Sequence, residues 1–419
     1  MEFLTQNLDA LLSIFPQDAM TQGVLVLAVS FLAGSGVFAF RRRQGKNLQP
    51  TEKYFQSKEL LSPPNERPAY SDRMAYVLAE MSELAYYQFE GSSSAVDEAA
   101  NKLEILLKEG GLDVKEFLET FSLDLLGTSK LSIKFLEGLL EKSQFKLLYP
   151  IINIGDTQGF ACKYTGSANN PYIVIAFRGT EAKINDWLTD ADAKPKELGE
   201  GLGKVHKGFY NAFNEKTDAN DQTVSQILQQ LMSSPEAQNE EGQSLPLFFT
   251  GHSLGGALAL LATQQLAKNI NGACYTFGGP RIGNYEFFEK RKTPVYRVVN
   301  SSDIVPRVPP GAGLVVARKL IELCSWLTGA LPPVSRGFDK LEAWIDRLSG
   351  YRHVGDLRYL TDVATGKFET VKLLSNPPAI DRLLWMWQHL ASSFMFPIRS
   401  HKMAIYRKKL LFIANARKT

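Results

Sequence analysis

Apolar and polar residues follow several rhythms along this chain, and each predicts a different kind of element. At the start, Phe3, Leu4, Leu8, Leu11, Leu12, Ile14 and Phe15 recur between polar residues, a spacing that suits an amphipathic helix lying on a membrane surface. Residues 23–40 then carry no charge over 18 positions, the lower length for a spanning helix. Helical spacing returns at 72–89, where Met74, Val77, Leu78, Met81, Leu84 and Ala85 repeat and Ser71 stands ready to cap the first turn. Similar stripes predict helices at 95–108, 113–121, 133–142, 221–231, 254–266 and 402–411. Apolar or β-branched runs predict strands at 146–154, 159–164, 172–177, 246–250, 274–277, 295–299 and 357–360, the first two joined as a hairpin. Strand and helix alternate through the second half. That alternation argues for an α/β fold with a mostly parallel central sheet flanked by helices.

Charge orients the N-terminal segment. Glu2, Asp9 and Asp18 precede the uncharged run, and Arg41, Arg42, Arg43 and Lys46 follow it. Residues 1–43 are therefore expected to anchor the chain in a membrane through one transmembrane helix, with the following domain on the cytoplasmic side. A signal n-region would be basic where this segment is acidic, and no small-x-small cleavage site follows the apolar run. A buried core helix is the plainer alternative. Residues 44–70 are polar and proline-rich and read as a tether to a domain over 71–419.

Overall charge is nearly balanced, with 47 Lys and Arg against 44 Asp and Glu, so it gives no basis for nucleic-acid binding. No phosphate loop, dinucleotide fingerprint or CxxC pair is present, and neither a metal nor an organic cofactor is expected. Cys162, Cys274 and Cys324 are odd in number and far apart, which suits free thiols in a reducing compartment.

Candidate chemistry centres on Gly251-His252-Ser253-Leu254-Gly255, a G-x-S-x-G elbow between a buried strand and a helix. So sharp a turn strains the backbone at the serine and leaves its neighbours no room for a Cβ. It would lift Ser253 off the sheet and aim the N–H of Leu254 at whatever the serine attacks. A structural turn is the competing reading. Serine also needs a base, and the base an orienting acid. Asp303 lies just past the strand at 295–299, in a loop stiffened by Pro306, and is the preferred acid over a simple turn aspartate. The chain order Ser, Asp, His disfavours His206 and His252. His252 reads as a packed structural histidine. Of the remaining three, His401 sits in a loop just before a helix and is preferred to His353 and His389. Thr180, following the strand at 172–177 and Gly179, fits the second oxyanion donor.

These residues fall in FRGT (177–180), NDWLTD (185–190), VHKGF (205–209), GHSLGGALA (251–259), YTFGGPRIGN (275–284), DIVPRVP (303–309), YRHVG (351–355) and HKMAIY (401–406). In this order the set resembles the class 3 (fungal-type) lipase family of the α/β-hydrolase superfamily. The resemblance implies Ser253 as nucleophile, Asp303 as orienter, His401 as base, and Thr180 and Leu254 as the oxyanion hole. It also implies that Ile184, Trp187 and Leu188 occupy the place of a short lid helix, and that His206 and His353 are structural. The chain departs from compact secreted members in its anchor and in insertions at 91–142 and 310–350.

The expected function is hydrolysis of acyl esters in glycerolipids, as by a triacylglycerol lipase, at a membrane. A phospholipase or galactolipase, a thioesterase or small-ester esterase, and an inactive membrane scaffold are the alternatives. Two apolar stretches, 314–331 and 383–396, either meet lipid at the mouth of the site or pack in the core.

Overall fold

Most of the apolar runs become strands of one eight-stranded sheet, and their burial follows their composition. In the computed structural model β1 is Phe145–Ile154, β2 Thr157–Tyr164, β3 Tyr172–Phe177, β4 Pro195–Glu197, β5 Lys204–His206, β6 Leu247–His252, β7 Gly272–Phe277, β8 Val295–Asn300, β9 Asp356–Leu360 and β10 Leu373–Ser375. Every residue of β3, β6 and β7 is buried, as runs covered on both faces require. The order across the sheet is β1-β2-β3-β6-β7-β8-β9-β10, while β4 and β5 pair apart.

The expectation of a mostly parallel sheet holds for its centre, where β3–β6, β6–β7, β7–β8 and β8–β9 are parallel. The pairs β1–β2, β2–β3 and β9–β10 are antiparallel. The two residues between β1 and β2 are too few for a crossover, so that pair must reverse direction. The sheet is mixed, with its parallel strands at the centre.

Seven helices accompany it among the described residues: α1 (Asp72–Leu84), α2 (Ile133–Lys142), α3 (Lys207–Asn214), α4 (Val224–Met232), α5 (Leu254–Leu266), α6 (Tyr285–Phe288) and α7 (Met403–Ala416). Ser71 caps α1 by accepting from the Met74 N–H at 3.3 Å. Thr223 and Gln226 form a reciprocal capping box at α4. Helix α5 is apolar all round and buried from Leu254 to Gln264, which makes it a core helix rather than a surface one. Adjacent residues of β6 face opposite ways. Phe249 joins the apolar cluster that holds α3, α4 and α5, while Thr250 meets Ser82 of α1 at 2.9 Å. Helix α7 runs past its expected end, because Leu410, Ile413 and Ala414 continue the buried stripe.

The described residues are 54–65, 69–86, 133–155, 157–179, 195–216, 221–267, 270–301, 303, 305–307, 351–361, 368–378, 381–382 and 400–417. All belong to the unit formed by Thr51–Glu98 and Lys130–Thr419. The expected anchor at 1–43, residues 44–53 and 66–68 of the tether, the helices at 95–108 and 113–121 and the insertion at 310–350 lie outside them. Within the described part of the expected tether, Phe55, Leu60 and Leu61 are buried, and the Leu61 carbonyl accepts from the Tyr172 hydroxyl at 2.8 Å. Among the described residues no helix is long and apolar enough to cross a membrane. Cys162 and Cys274 are free and buried.

Helices α1 and α7 are joined by a buried ion pair. Arg407 lies 2.8 Å from Glu80 and 4.0 Å from Glu83, with the side chains of Arg407 and Glu80 9% and 3% exposed. Two such charges repay their desolvation only while both are present. Arg407→Leu is expected to lower the unfolding free energy by about 3–5 kcal/mol, and adding Glu80→Leu to restore much of it. Urea titration of the single and double variants checks both expectations.

Candidate active site

Close backbone packing builds the elbow. A Cβ at Gly251 would run into the Gly255 carbonyl, and one at Gly255 into the backbone of Phe177 and Arg178 at the end of β3. Only glycine lets β6, α5 and β3 approach this closely. Between them Ser253 takes φ 57° and ψ −126°, a conformation that costs a non-glycine residue about 1–3 kcal/mol and persists only where its surroundings enforce it. The enforcement is visible: the Ser253 N–H donates to the Phe277 carbonyl at 2.9 Å, and the Gly256 N–H to the Ser253 carbonyl at 3.0 Å. Leu254 is the first residue of α5, so its N–H belongs to the set with no partner inside the helix.

Two further segments reach Ser253. Asp303 follows β8 in a turn closed by its own N–H donating to the Asn300 carbonyl at 2.9 Å. His401 stands just ahead of α7. Nε2 of His401 is 3.0 Å from Ser253 Oγ, and Nδ1 is 3.0 Å from each carboxyl oxygen of Asp303. Ser253 and Asp303 are 148 and 98 positions from His401 along the chain, yet none of the three residues is more than 2% exposed. In this geometry Nδ1–H donates to Asp303 and Nε2 accepts from the serine hydroxyl, the tautomer a general base needs.

A second layer holds Asp303 and His401. The Tyr406 hydroxyl donates to Asp303 Oδ2 at 2.5 Å, and the Val305 N–H to Oδ1 at 3.0 Å. Burial, and then the charge of Asp303, push the Tyr406 phenol well above its ordinary value, so it stays a donor. The same hydroxyl accepts from the Asn300 N–H at 2.9 Å. Gly278, at φ 59°, completes the fit: a Cβ there would stand 2.6 Å from Asp303 Oδ2 and 3.1 Å from His401 Nδ1.

The histidine loop is gripped through two consecutive carbonyls. Asn300 Nδ2 donates to the Ser400 carbonyl at 2.7 Å, and the other end of its amide accepts from the buried Lys409 ammonium at 2.7 Å. His252 Nε2 donates to the His401 carbonyl at 2.7 Å. A carbonyl can only accept, so the His252 proton sits on Nε2, and its Nδ1 accepts from the Tyr86 hydroxyl at 2.6 Å. His252 is therefore more than packing. It links the end of α1 to the backbone of His401, and its ring lies 4.4 Å from the His401 ring.

Sequence reasoning gave no role to Tyr86, Asn300 or Lys409, and placed Tyr406 only within the helix at 402–411. The one legible signal was four polar residues, Asn300 to Asp303, directly after a buried strand. Among the other candidates, His353 points elsewhere, donating through Nε2 to the Pro306 carbonyl at 2.5 Å. His206 is buried against Phe209 and Tyr351. Thr180, His389 and the proposed lid residues Ile184, Trp187 and Leu188 lie outside the described residues. Among the described residues no cluster of three or more His, Cys, Asp or Glu could hold a metal ion.

A strained serine on a strand–helix elbow, with a buried histidine and aspartate in hydrogen-bond reach, is the arrangement of the α/β-hydrolase type of site. Residues 174–312 match the model of the class 3 lipase family, a span that contains Ser253 and Asp303 but ends before His401. The chain is 34% identical over 185 residues to phospholipase A1-Igamma1, chloroplastic, of Arabidopsis thaliana, covering 38% of this chain and 35% of that protein. It is 35% identical over 150 residues to a lipase of Rhizomucor miehei, covering 33% and 38%, and 34% identical over 177 residues to triacylglycerol lipase OBL1 of Arabidopsis thaliana, covering 33% and 34%. The matched region thus spans little more than a third of these relatives. A solved Rhizomucor miehei lipase propeptide complex overlaps 56% of this chain and 61% of its own at 25% identity, with a TM-score of 0.36.

The grip on His401 can be tested through the reactivity of Ser253. His252→Leu is expected to slow its labelling by a fluorophosphonate about 10–100-fold, because small misplacements of a base cost that much. His252→Gln, whose amide can donate to the same carbonyl, is expected to retain more. Labelling rates of folded variants, checked by circular dichroism, measure the difference.

Proposed function

We propose that this protein is a serine ester hydrolase that cleaves the acyl esters of glycerolipids. One observation carries the reading: the His401 imidazole is hydrogen-bonded at 3.0 Å to Ser253 through one nitrogen and to Asp303 through the other. Family similarity and relatives bearing the names lipase, triacylglycerol lipase and phospholipase A1 support the ester and the lipid.

The reaction follows from the geometry. Ser253 Oγ attacks the acyl carbonyl while His401 Nε2 takes its proton, and Asp303 steadies the imidazolium through Nδ1–H. The carbonyl oxygen becomes an oxyanion, which the N–H groups of Leu254 and Thr180 receive. Loss of such a donor costs about 3 kcal/mol of transition-state stabilisation. The acyl C–O bond then breaks, and His401 returns its proton to the leaving alcohol. Water, deprotonated by His401, attacks the acyl-enzyme and releases the fatty acid with Ser253 restored.

Ser253 is fully buried, so an ester carbonyl reaches it only when a covering segment moves. We assign that cover to the segment with Ile184, Trp187 and Leu188. The anchor at 1–43 holds the domain at the cytoplasmic face of a membrane. A phospholipid is the alternative substrate, favoured by the similarity to a phospholipase A1.

Ser253→Ala is expected to abolish fluorophosphonate labelling and to lower kcat by about 10⁴–10⁶-fold on both triacylglycerol emulsions and phospholipid vesicles. Wild-type rates on the two substrates decide between them. A labelled but hydrolytically silent wild type would overturn the assignment, and an unlabelled one would point to an inactive scaffold. Release of the full-length protein from membranes by carbonate would remove the anchor from the proposal.

A further inference from the structure

A base that must meet two partners has to be held at its backbone as well as at its ring. The two peptide units that flank the Cα of His401 are pinned from different sides. The unit after it is held by His252 Nε2 on the His401 carbonyl at 2.7 Å. The unit before it carries the Ser400 carbonyl, which accepts from Asn300 Nδ2 at 2.7 Å. Pinning one unit leaves the other free to swing about the Cα. Pinning both fixes φ and ψ, and with them the point from which the imidazole reaches out.

Asn300 makes three further contacts. Its N–H donates to the Tyr406 hydroxyl at 2.9 Å, its carbonyl accepts from the Asp303 N–H at 2.9 Å, and its Oδ1 accepts from the Lys409 ammonium at 2.7 Å. The residue is 1% exposed, and each of its four polar groups has a partner. It thus joins the end of β8, the turn of Asp303, the loop of His401 and α7. The next residue, Ser301, takes φ 45° with its N–H on the Leu360 carbonyl at 2.8 Å. A serine keeps that conformation only where its surroundings enforce it, and Asn300 is the neighbour that does so on one side.

The ends of an amide are alike in shape and opposite in chemistry, and here the neighbours choose between them. Lys409 lies three residues after Tyr406 on α7, is itself 1% exposed, and also donates to the Thr361 carbonyl at 2.7 Å. An ammonium can only donate and a carbonyl can only accept. The amide oxygen of Asn300 must therefore face Lys409, and its nitrogen Ser400. Turned round, the amide would set donor against donor and acceptor against acceptor.

We propose that Asn300 is a positioning residue for ester hydrolysis, and that Lys409 acts through it by fixing which end of the amide meets the histidine loop. This role presupposes Ser253 as the nucleophile and His401 as its base. A carboxylate in place of the amide would still satisfy Lys409, and as a charged acceptor would bind it more strongly. It would also turn an acceptor toward the Ser400 carbonyl and push the loop away. Stability and reactivity should then part company.

The rate at which a fluorophosphonate labels Ser253 in the full-length protein, measured apart from the final extent of labelling, tests the role. Asn300→Asp is expected to keep its Tm close to that of the wild type and to label about 10–100-fold more slowly. Lys409→Met is expected to slow labelling by about 3–10-fold, and to add nothing when Asn300 is already replaced by alanine, because the ammonium acts only through the amide. Asn300→Asp labelled at the wild-type rate, to whatever extent, overturns the proposal, since a merely structural role changes how much protein folds and not how fast its serine reacts. Where Asn300→Asp does not fold, Lys409→Met at the wild-type rate overturns it equally. Further slowing in the Asn300→Ala and Lys409→Met double variant removes Lys409 from the role. A wild type that does not label brings down the hydrolase assignment together with this one, whereas a labelled wild type matched by its variants brings down this one alone.

Discussion

The His401 imidazole has to satisfy two partners at once from a position closed to water. One nitrogen needs the serine and the other the aspartate, each at hydrogen-bond distance, and burial removes any solvent that could stand in for a missing partner. This demand fixes where three remote pieces of chain end: the turn after β6, the turn after β8 and the start of α7. It also explains the glycines. Gly251 and Gly255 let backbone pass backbone at the elbow, and Gly278 leaves the space in which the acid and base meet. A methyl group at any of these positions would shift a partner by more than a hydrogen bond tolerates.

Around that centre the polar groups form a connected set. Lys409, Asn300 and Ser400 make one chain of contacts, Tyr86, His252 and His401 another, and Tyr406 bridges Asn300 to Asp303. Buried networks of this kind are costly when half-made and rigid when complete. Helices α1 and α7 therefore do two things. They close the sheet face with apolar side chains, and they deliver Tyr86, Tyr406 and Lys409 to the site. The ion pair between Arg407 and Glu80 keeps those two helices in register.

Features written in neighbouring residues were legible in the sequence, and features made by distant ones were not. The elbow, the strand runs, the Ser71 cap and the polar turn at Asn300–Asp303 all announce themselves locally. So did His401, through its place in a loop ahead of a helix. By contrast, the contact between Tyr86 and His252 crosses 166 positions and that between Arg407 and Glu80 crosses 327, and no periodicity records either. Alternation of strands and helices announced the parallel centre of the sheet but says nothing about the direction of an edge strand such as β10.

The lateness of the histidine has a consequence for how the protein is made. On the ribosome the elbow serine emerges 148 residues before the imidazole that reaches it. A nascent chain thus exposes an ordinary, unreactive alcohol, and the hydroxyl becomes a nucleophile only once α7 docks.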